Sequence, residues 1–265
     1  MQLNPTATDK ESSEEHSIEA GPRASAMILA AGRGERMRPL TDHTPKPLLS
    51  VRGKPLMQWP MEGLVRGGFE TLLINTAWLS DRIHAHYGAK VNLPAAGVAH
   101  LRYSDEEQDF GYALETAGGI SRALPWLTEV FWVVAGDVFM PEFTFDAAAV
   151  NRFAASGKLA HIWLVPNPAH NLRGDFGMSD HGLALNLPKD TSDQPLYTFS
   201  TVALYRRAFF EMPLCSIVPG NPQGAAAPLA PLLRSAMDQG QVSAELYSGP
   251  WTDVGTPERL TLLNQ

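Results

Sequence analysis

The chain has 265 residues, 44% of them hydrophobic and 18% charged, which is enough to bury the core of one large α/β domain or two small ones. Its net charge of -7 argues against a non-specific nucleic-acid binder, whose domain is normally basic. The single cysteine, Cys215, excludes an intrachain disulfide and a cysteine-rich zinc site, and reads as a small residue of the interior.

Residues 1–24 are polar and acidic and read as a disordered tail, with residues 25–265 as one domain. The tail has neither the apolar region of a secretory signal nor the arginine-rich character of a transit peptide. No later run is long enough to span a bilayer. The expectation is a cytoplasmic protein without membrane or nucleic-acid partners. In chain order, "AMILA" (26–30) is a fully apolar strand, and Pro55 suits the first turn of a helix that Pro60 would kink. "TLLINTAW" (71–78) is a second strand. A short helix follows, with Ser80 as its cap and Gly88 as its stop. "VAHLRYS" (98–104) is a third strand, and "AGGISRALPWL" a helix opened by its glycines. "VFWVVAGD" (130–137) is the most hydrophobic strand and ends in Gly136-Asp137. "LAHIWLV" (159–165) and "YTFSTVALY" (197–205) extend the sheet, and a helix in "AAAPLAPLLRSAMDQG" precedes an edge strand, "VSAELYS". Apolar strands alternating with helices imply an α/β fold, a mostly parallel sheet covered on both faces. The Pro- and Gly-rich stretches 166–195 and 213–228 read as loops shaping a substrate site.

In such folds ligands bind beyond the carboxyl ends of the strands, which singles out Ala30-Ala31-Gly32, Asn75 and Gly136-Asp137. Gly32 and Gly34 match part of a dinucleotide fingerprint, but Met37 replaces its third glycine and no acidic residue ends a second strand about 20 residues on. No Gly-Lys-Ser/Thr follows, so a P-loop is excluded too. Arg33, Arg36, Arg38 and Lys46 crowd behind the glycines. Four cations beside free backbone N–H groups suit a polyphosphate. Asn75 reads equally as a ligand contact or a turn residue. The eight histidines form no metal-ligand spacing and read as solvated.

The compound motif "LAAGRGERMRPLTDHTPKPLLSVRGKPLMQW", followed by "AGDVF" and "WTDVGTPERL", resembles the signature of the sugar-1-phosphate nucleotidyltransferases, the nucleotide-sugar pyrophosphorylases. The resemblance spans residues 26–265 and implies a single Rossmann-like, GT-A-like nucleotidyltransferase domain. It also implies a nucleoside triphosphate and a sugar 1-phosphate as partners, Mg²⁺ as cofactor, and a monomer or small homo-oligomer. On that resemblance Leu29, Ala30, Ala31, Gly32, Gly34, Glu35 and Arg36 form the triphosphate loop, with Arg36 on the leaving pyrophosphate. Lys46, pinned between Pro45 and Pro47, reaches the α-phosphate. Asp137 and Asp253 hold the metal, a donor set that suits Mg²⁺; Arg36, Lys46, Asp137 and Asp253 are thus the catalytic candidates. Leu114, Glu115 and Gly118 of "ALETAGG", with Ala135, face the nucleotide. Asp175 and Gly177 of "RGDFG", with Ser200, Thr201 and Trp251, face the sugar.

Within the family, "INTAWL", "LETAGGI", "NPAHNLRGDFG" and an end soon after Asp253 look most like the branch that joins UTP to N-acetylmuramic acid α-1-phosphate in cell-wall recycling. Three features depart from it: Ala135 where an Asn is expected, Thr201 where a Gly is expected, and the insertion "EEQDFGYA" (106–113). A guanylyl- or thymidylyltransferase-like specificity is the nearest alternative. A non-catalytic nucleotide-sugar sensor is the alternative from another class, disfavoured by the presence of Lys46, Asp137 and Asp253.

Overall fold

The computed structural model describes residues 23–188 and 194–265. The expected tail lies outside the described residues except at its end, where Ala24 is already strand and fully buried. The sheet therefore starts slightly before the expected boundary.

The chain begins with β1 (Ala24–Leu29), the small hairpin β2 (Ser50–Val51) and β3 (Lys54–Pro55), α1 (Gln58–Arg66) and β4 (Thr71–Thr76). Next come α2 (Ser80–Tyr87), β5 (Lys90–Leu93), β6 (Gly97–Asp105), α3 (Glu106–Phe110), α4 (Glu115–Ala123), β7 (Leu127–Ala135) and β8 (Val138–Phe139). After α5 (Ala147–Ser156) and β9 (Ala160–Val165) come β10 (Phe176–Met178), β11 (Ala184–Leu185) and β12 (Leu196–Arg206). The chain closes with α6 (Leu229–Asp238), β13 (Val242–Leu246), β14 (Thr252–Asp253) and α7 (Pro257–Leu263).

Ten strands form one mixed sheet, ordered β11-β10-β12-β7-β1-β4-β6-β5, with β9 on β12 and β13 on β9. Its centre, β7-β1-β4-β6, is parallel, as the continuous apolar runs require. Strand β12 runs antiparallel to β7 and also pairs with β9 and β10. Neighbouring residues of each central strand serve opposite faces, the period of two that a pleated strand imposes. Met27, Leu73 and Val133 pack with Ile120 of α4 and Leu233 of α6. Ile28, Leu72, Ile74 and Trp132 pack with Met61 and Leu64 of α1 and Phe153 of α5. Helices thus cover both faces.

Local details differ from expectation for identifiable reasons. Pro55 lies in the hairpin and α1 starts at Gln58, so Pro60 occupies the first turn. Its missing N–H has no intrahelical acceptor there, and no kink is needed. Ser80 is the first residue of α2 and no side chain caps it; the chain turns at Leu79, whose φ is 54°. α4 opens at Glu115, and its glycines lie inside the helix. They let the 225–227 loop approach: a Cβ on Gly118 would sit 2.4 Å from the Ala225 carbonyl oxygen. That loop is pinned by Ala117 and Gly118, whose N–H groups donate to the Ala227 carbonyl. α5, capped by the Asp146 carboxylate accepting from the Ala149 N–H, and β5, which forms a hairpin with the expected third strand β6, have no counterpart among the expected elements. The 166–195 stretch carries β10 and β11, and its residues 189–193 lie outside the described residues.

Not every histidine is solvated. His161 lies half-buried on β9 with its Nδ1 2.9 Å from Ser243 Oγ, and burial pushes its pKa down to about 4, Arg152 adding to the effect. Cys215 is buried, its Sγ 3.8 Å from Ser121 Oγ of α4.

Candidate active site

A cleft of about 900 Å³ opens at the carboxyl ends of β1, β4 and β7, where an open α/β sheet binds its ligands. On one wall the chain leaves β1 through Ala30, Ala31 and Gly32 and turns at Gly34, whose φ is 67°. A Cβ at Gly34 would also press on Thr41 and Lys46, 3.1 and 3.2 Å away. Among the described residues, no backbone N–H from Ala31 to Arg36 donates within the protein. Such a run of outward amides binds anions.

The four cations behind this turn divide into two pairs. Arg33 stacks 3.6 Å from the Trp78 ring and donates to the Thr41 carbonyl, and Arg38 pairs with Asp42 at 2.8 Å. Those two hold the loop. Of the four, only Arg36 and Lys46 line the cleft. Lys46 is buried, and its Nζ pairs with the Asp137 carboxylate.

Asp137 lies between β7 and β8, and β8 pairs antiparallel with β14 so that Asp253 faces Val138. The Val254 N–H donates to the Asp137 carbonyl at 2.9 Å. This short bridge brings two carboxylates 116 positions apart to one rim of the cleft. Asp253 pairs in turn with Arg259 Nη1 and with His170 Nε2, the latter at 2.8 Å. Each carboxylate thus has its own cationic or protonatable partner. Among the described residues, no group of three or more His, Cys, Asp or Glu side chains could hold a metal, so a divalent ion here would rely on two carboxylates and ligand oxygens.

Asn75 bolts the nucleotide wall together. Its Oδ1 accepts from the Ala30 N–H at 3.0 Å, and its Nδ2 donates to Glu106 Oε1 at 2.8 Å. Glu106, first residue of the insertion, is fully buried and its other oxygen accepts from the Leu114 N–H at 2.7 Å. Burial raises its pKa, against the opposing pull of those two hydrogen bonds and of Arg122. Gly119 is required beside it, since a Cβ there would lie 2.4 Å from Oε1. The insertion therefore braces the wall as well as lengthening a loop. In the segment after it, Glu115 and Thr116 reach the cleft. Leu114 is buried, and Gly118 faces the 225–227 loop.

The opposite wall comes from β10, β12 and α6. Asp175 and Thr201 line the cleft. Asp175 Oδ2 accepts from the Phe199 N–H at 3.0 Å and from Asn171 Nδ2 at 3.2 Å. Thr201 sits at an irregularity of β12 with φ 65°, which explains why a glycine is expected there. Three other sugar candidates stand behind the surface. The buried Ser200 hydroxyl donates to the Trp163 carbonyl, Trp251 Nε1 donates to the Ser200 carbonyl, and Gly177 packs on Leu185 and Leu187. They shape the wall from behind. Among the cleft residues that the motifs do not single out as ligand contacts, three carry polar side chains of note. Tyr205 and Arg234 line its far end, and the Tyr205 hydroxyl, like that of Thr201, is buried with no hydrogen-bond partner among the described residues. Arg234 follows Leu229, Ala230 and Leu233 on one face of α6; a cation on that otherwise apolar face is the available signal. Its guanidinium stacks on Phe176 and donates to Asn186 Oδ1 at 2.7 Å. Asn75 is the third, with its two readings left open by the sequence.

An amide-lined turn with a lysine and two carboxylates at the switch point of an α/β sheet is the equipment of a nucleotidyl-transfer protein. Residues 25–184 match the family model described as nucleotidyl transferase, and the chain belongs to that family. It is 45% identical over 243 residues to N-acetylmuramate alpha-1-phosphate uridylyltransferase of Neisseria meningitidis serogroup B, covering 89% of this chain and 94% of that protein. It is 31% identical over 236 residues to the protein of the same name from Caulobacter vibrioides, covering 76% of this chain and 94% of that one. The fold matches the inositol-1-phosphate CTP transferase from T. maritima with a TM-score of 0.65 at 17% identity, over 92% of this chain and 96% of that one. It also matches HddC from Yersinia pseudotuberculosis, with a TM-score of 0.66 at 16% identity, over 91% and 97%. Among the described residues no helix is long and apolar enough to cross a membrane.

Proposed function

We propose that this protein is a cytoplasmic uridylyltransferase that converts UTP and N-acetylmuramic acid α-1-phosphate into UDP-N-acetylmuramic acid and pyrophosphate, for cell-wall recycling. An oxygen of the sugar phosphate attacks the α-phosphorus of UTP; the bond from that phosphorus to the β-phosphate bridge breaks, and pyrophosphate carries the electron pair away. The observation that carries the reading is the convergence of the amide turn after β1 and the Lys46–Asp137 pair in one cleft, with Asp253 brought beside it by the pairing of β14 with β8.

The amides and Arg36 receive the β- and γ-phosphates, and Lys46 stabilises charge on the α-phosphate as it is attacked. Asp137 and Asp253 are suited to Mg²⁺, a hard cation that takes one or two carboxylates and completes its shell with phosphate oxygens. When bound, it would neutralise phosphate charge. Glu115, Thr116 and Ala135 line the nucleotide side, while Asp175 offers an acceptor to the sugar and Thr201 shapes the wall beside it.

Muramic acid carries a lactyl carboxylate that most sugar phosphates lack. Arg234, at the apolar far end of the cleft, supplies its charge partner with a planar fork. Asp175, already engaged by a backbone N–H and Asn171, is compatible with a carboxylate-bearing sugar so long as that carboxylate points to Arg234. The test is an initial-rate matrix of nucleotides against sugar 1-phosphates. UTP with the muramate should give the highest kcat/KM. Arg234→Gln should raise KM for the muramate about tenfold or more, a charged hydrogen bond's worth, and leave N-acetylglucosamine α-1-phosphate unchanged. GTP with mannose 1-phosphate, or dTTP with glucose 1-phosphate, winning tenfold would overturn the substrate assignment.

A further inference from the structure

Nucleotidyl transfer needs two phosphates held side by side, the one attacked and the one attacking. The cleft lining contains three cations: Arg36, Lys46 and Arg234. Lys46 stands by the amide turn, Arg36 reaches from that turn to Gly255 on the rim, and Arg234 stands at the far, apolar end. In the transfer reading above, none of the three is assigned to the acceptor phosphate, which is left without a cation.

The rim supplies one. Arg259 of α7 is largely buried and holds Asp253 through Nη1. Its other terminal nitrogen, Nη2, lies against Gly255, which lines the cleft, with Arg36 beside it: a Cβ on Gly255 would lie 2.4 Å from Arg259 Nη2 and 3.3 Å from Arg36 Nη2. One arm of the fork is thus committed to the carboxylate while the other lies behind the cleft residue Gly255. The Thr256 hydroxyl caps the helix, accepting from the Arg259 N–H, and so sets where the side chain departs. His170 Nε2 lies 2.9 Å from Arg259 Nη1 and 2.8 Å from Asp253 Oδ1. His170 belongs to the loop that ends in Asp175, and Asn171 beside it bonds Asp175. The cluster therefore stands between the Asp137–Asp253 rim and the sugar wall, where the acceptor phosphate must enter.

The arrangement repeats the other half of the rim. Lys46 rests on Asp137 and Arg259 rests on Asp253. A cation resting on a carboxylate stays oriented in the free protein, and phosphate oxygens draw it away when they arrive. A planar fork suits a terminal phosphate with two or three free oxygens.

We propose that Arg259 binds the phosphate of the acceptor sugar 1-phosphate, as the counterpart of Lys46 on the α-phosphate, with His170 as its positioning residue. This rests on the transfer reading above.

The test is calorimetric binding of N-acetylmuramic acid α-1-phosphate without metal or nucleotide, to wild type, Arg259→Ala, Arg259→Lys and His170→Ala, together with KM for both substrates. Arg259→Ala should weaken sugar-phosphate binding tenfold or more and raise its KM in parallel, with KM for UTP within twofold. Arg259→Lys, which keeps the charge without the fork, should fall between. His170→Ala should weaken it less than Arg259→Ala. A general loss of charge balance around Asp253 would weaken UTP and pyrophosphate as well; that outcome, or unchanged sugar-phosphate affinity in the Lys variant and any Ala variant that folds, overturns the inference. If wild type instead prefers another sugar 1-phosphate, the substrate reading fails, and the same comparison made with that sugar decides the role of Arg259.

Discussion

On one wall of the cleft, Leu29 to Met37 run as a single stretch off β1, with Lys46, Asn75 and Asp137 at neighbouring strand ends. On the other, Asp175, Phe199, Thr201, Tyr205, Leu233 and Arg234 arrive from two antiparallel strands and a helix far apart in sequence. The nucleotide wall is a local motif on parallel strands, where each strand end points to the same edge and a short turn can carry several contacts. The sugar wall is assembled by topology, from a strand that shifts register midway. A motif of the first kind fixes chemistry; a surface of the second kind can change its selectivity by small moves of strands and side chains.

That contrast predicts different failures. On the nucleotide wall Lys46→Ala should lower kcat about a hundredfold, as the loss of one preorganised electrostatic contact does. Lys46→Arg should rescue little, since a fork replaces a point charge. Equal kcat in wild type and Lys46→Ala would remove the main asymmetry between the walls.

Under the sugar wall the exposure is to acid. His161 on β9 has its pKa lowered from 6.5 to about 4 by burial, so between those values the unfolded chain takes up a proton that the folded chain refuses. Stability is complete above pH 6.5 and drops as pH falls toward 4, by about 3 kcal/mol. Denaturant unfolding at pH 7 and pH 4.5 should show that loss in wild type and a smaller one in His161→Gln. Parallel losses in the two proteins would assign the acid sensitivity elsewhere.

The smallest effect concerns the irregularity in β12. A β-branched residue at φ 65° is strained, and the Thr201 hydroxyl finds no partner among the described residues. Thr201→Gly should stabilise by ~1 kcal/mol, after the extra chain entropy of glycine, and raise Tm by about 2–4 °C. A lower Tm would show that the methyl and hydroxyl contribute more to packing than the strained backbone costs.

The same division governs what the sequence can disclose. The alternation of buried strands and helices, taken with the carboxyl-end rule, is enough to put Ala30, Asn75 and Asp137 at one edge. Periodicity cannot tell that β12 runs against β7, because a buried strand has the same pattern in either direction. Nor can spacing distinguish Arg36, which lines the cleft, from Arg33 and Arg38, whose partners Trp78 and Asp42 are set by folding. Ser200 and Trp251 fall near the sugar wall by motif, yet their polar atoms bond inward. Glu106 looks in sequence like part of a surface insertion; its acceptors are satisfied by Asn75 and Leu114, 31 positions before it and 8 after. Arg259 and His170 meet through a carboxylate that neither adjoins in sequence.

One consequence of the buried Cys215 is practical. The chain has a single thiol, and it lies against Ser121 of α4 in the segment that leads to the 225–227 loop and the cleft residue Pro228. A thiol reagent can modify it only when that segment lifts from α4. With opening faster than reaction, the labelling rate divided by that of a free thiol gives the opening equilibrium of this one wall. The protein thus carries its own chemical clock for the breathing of its cleft, readable in the presence or absence of each substrate without any turnover.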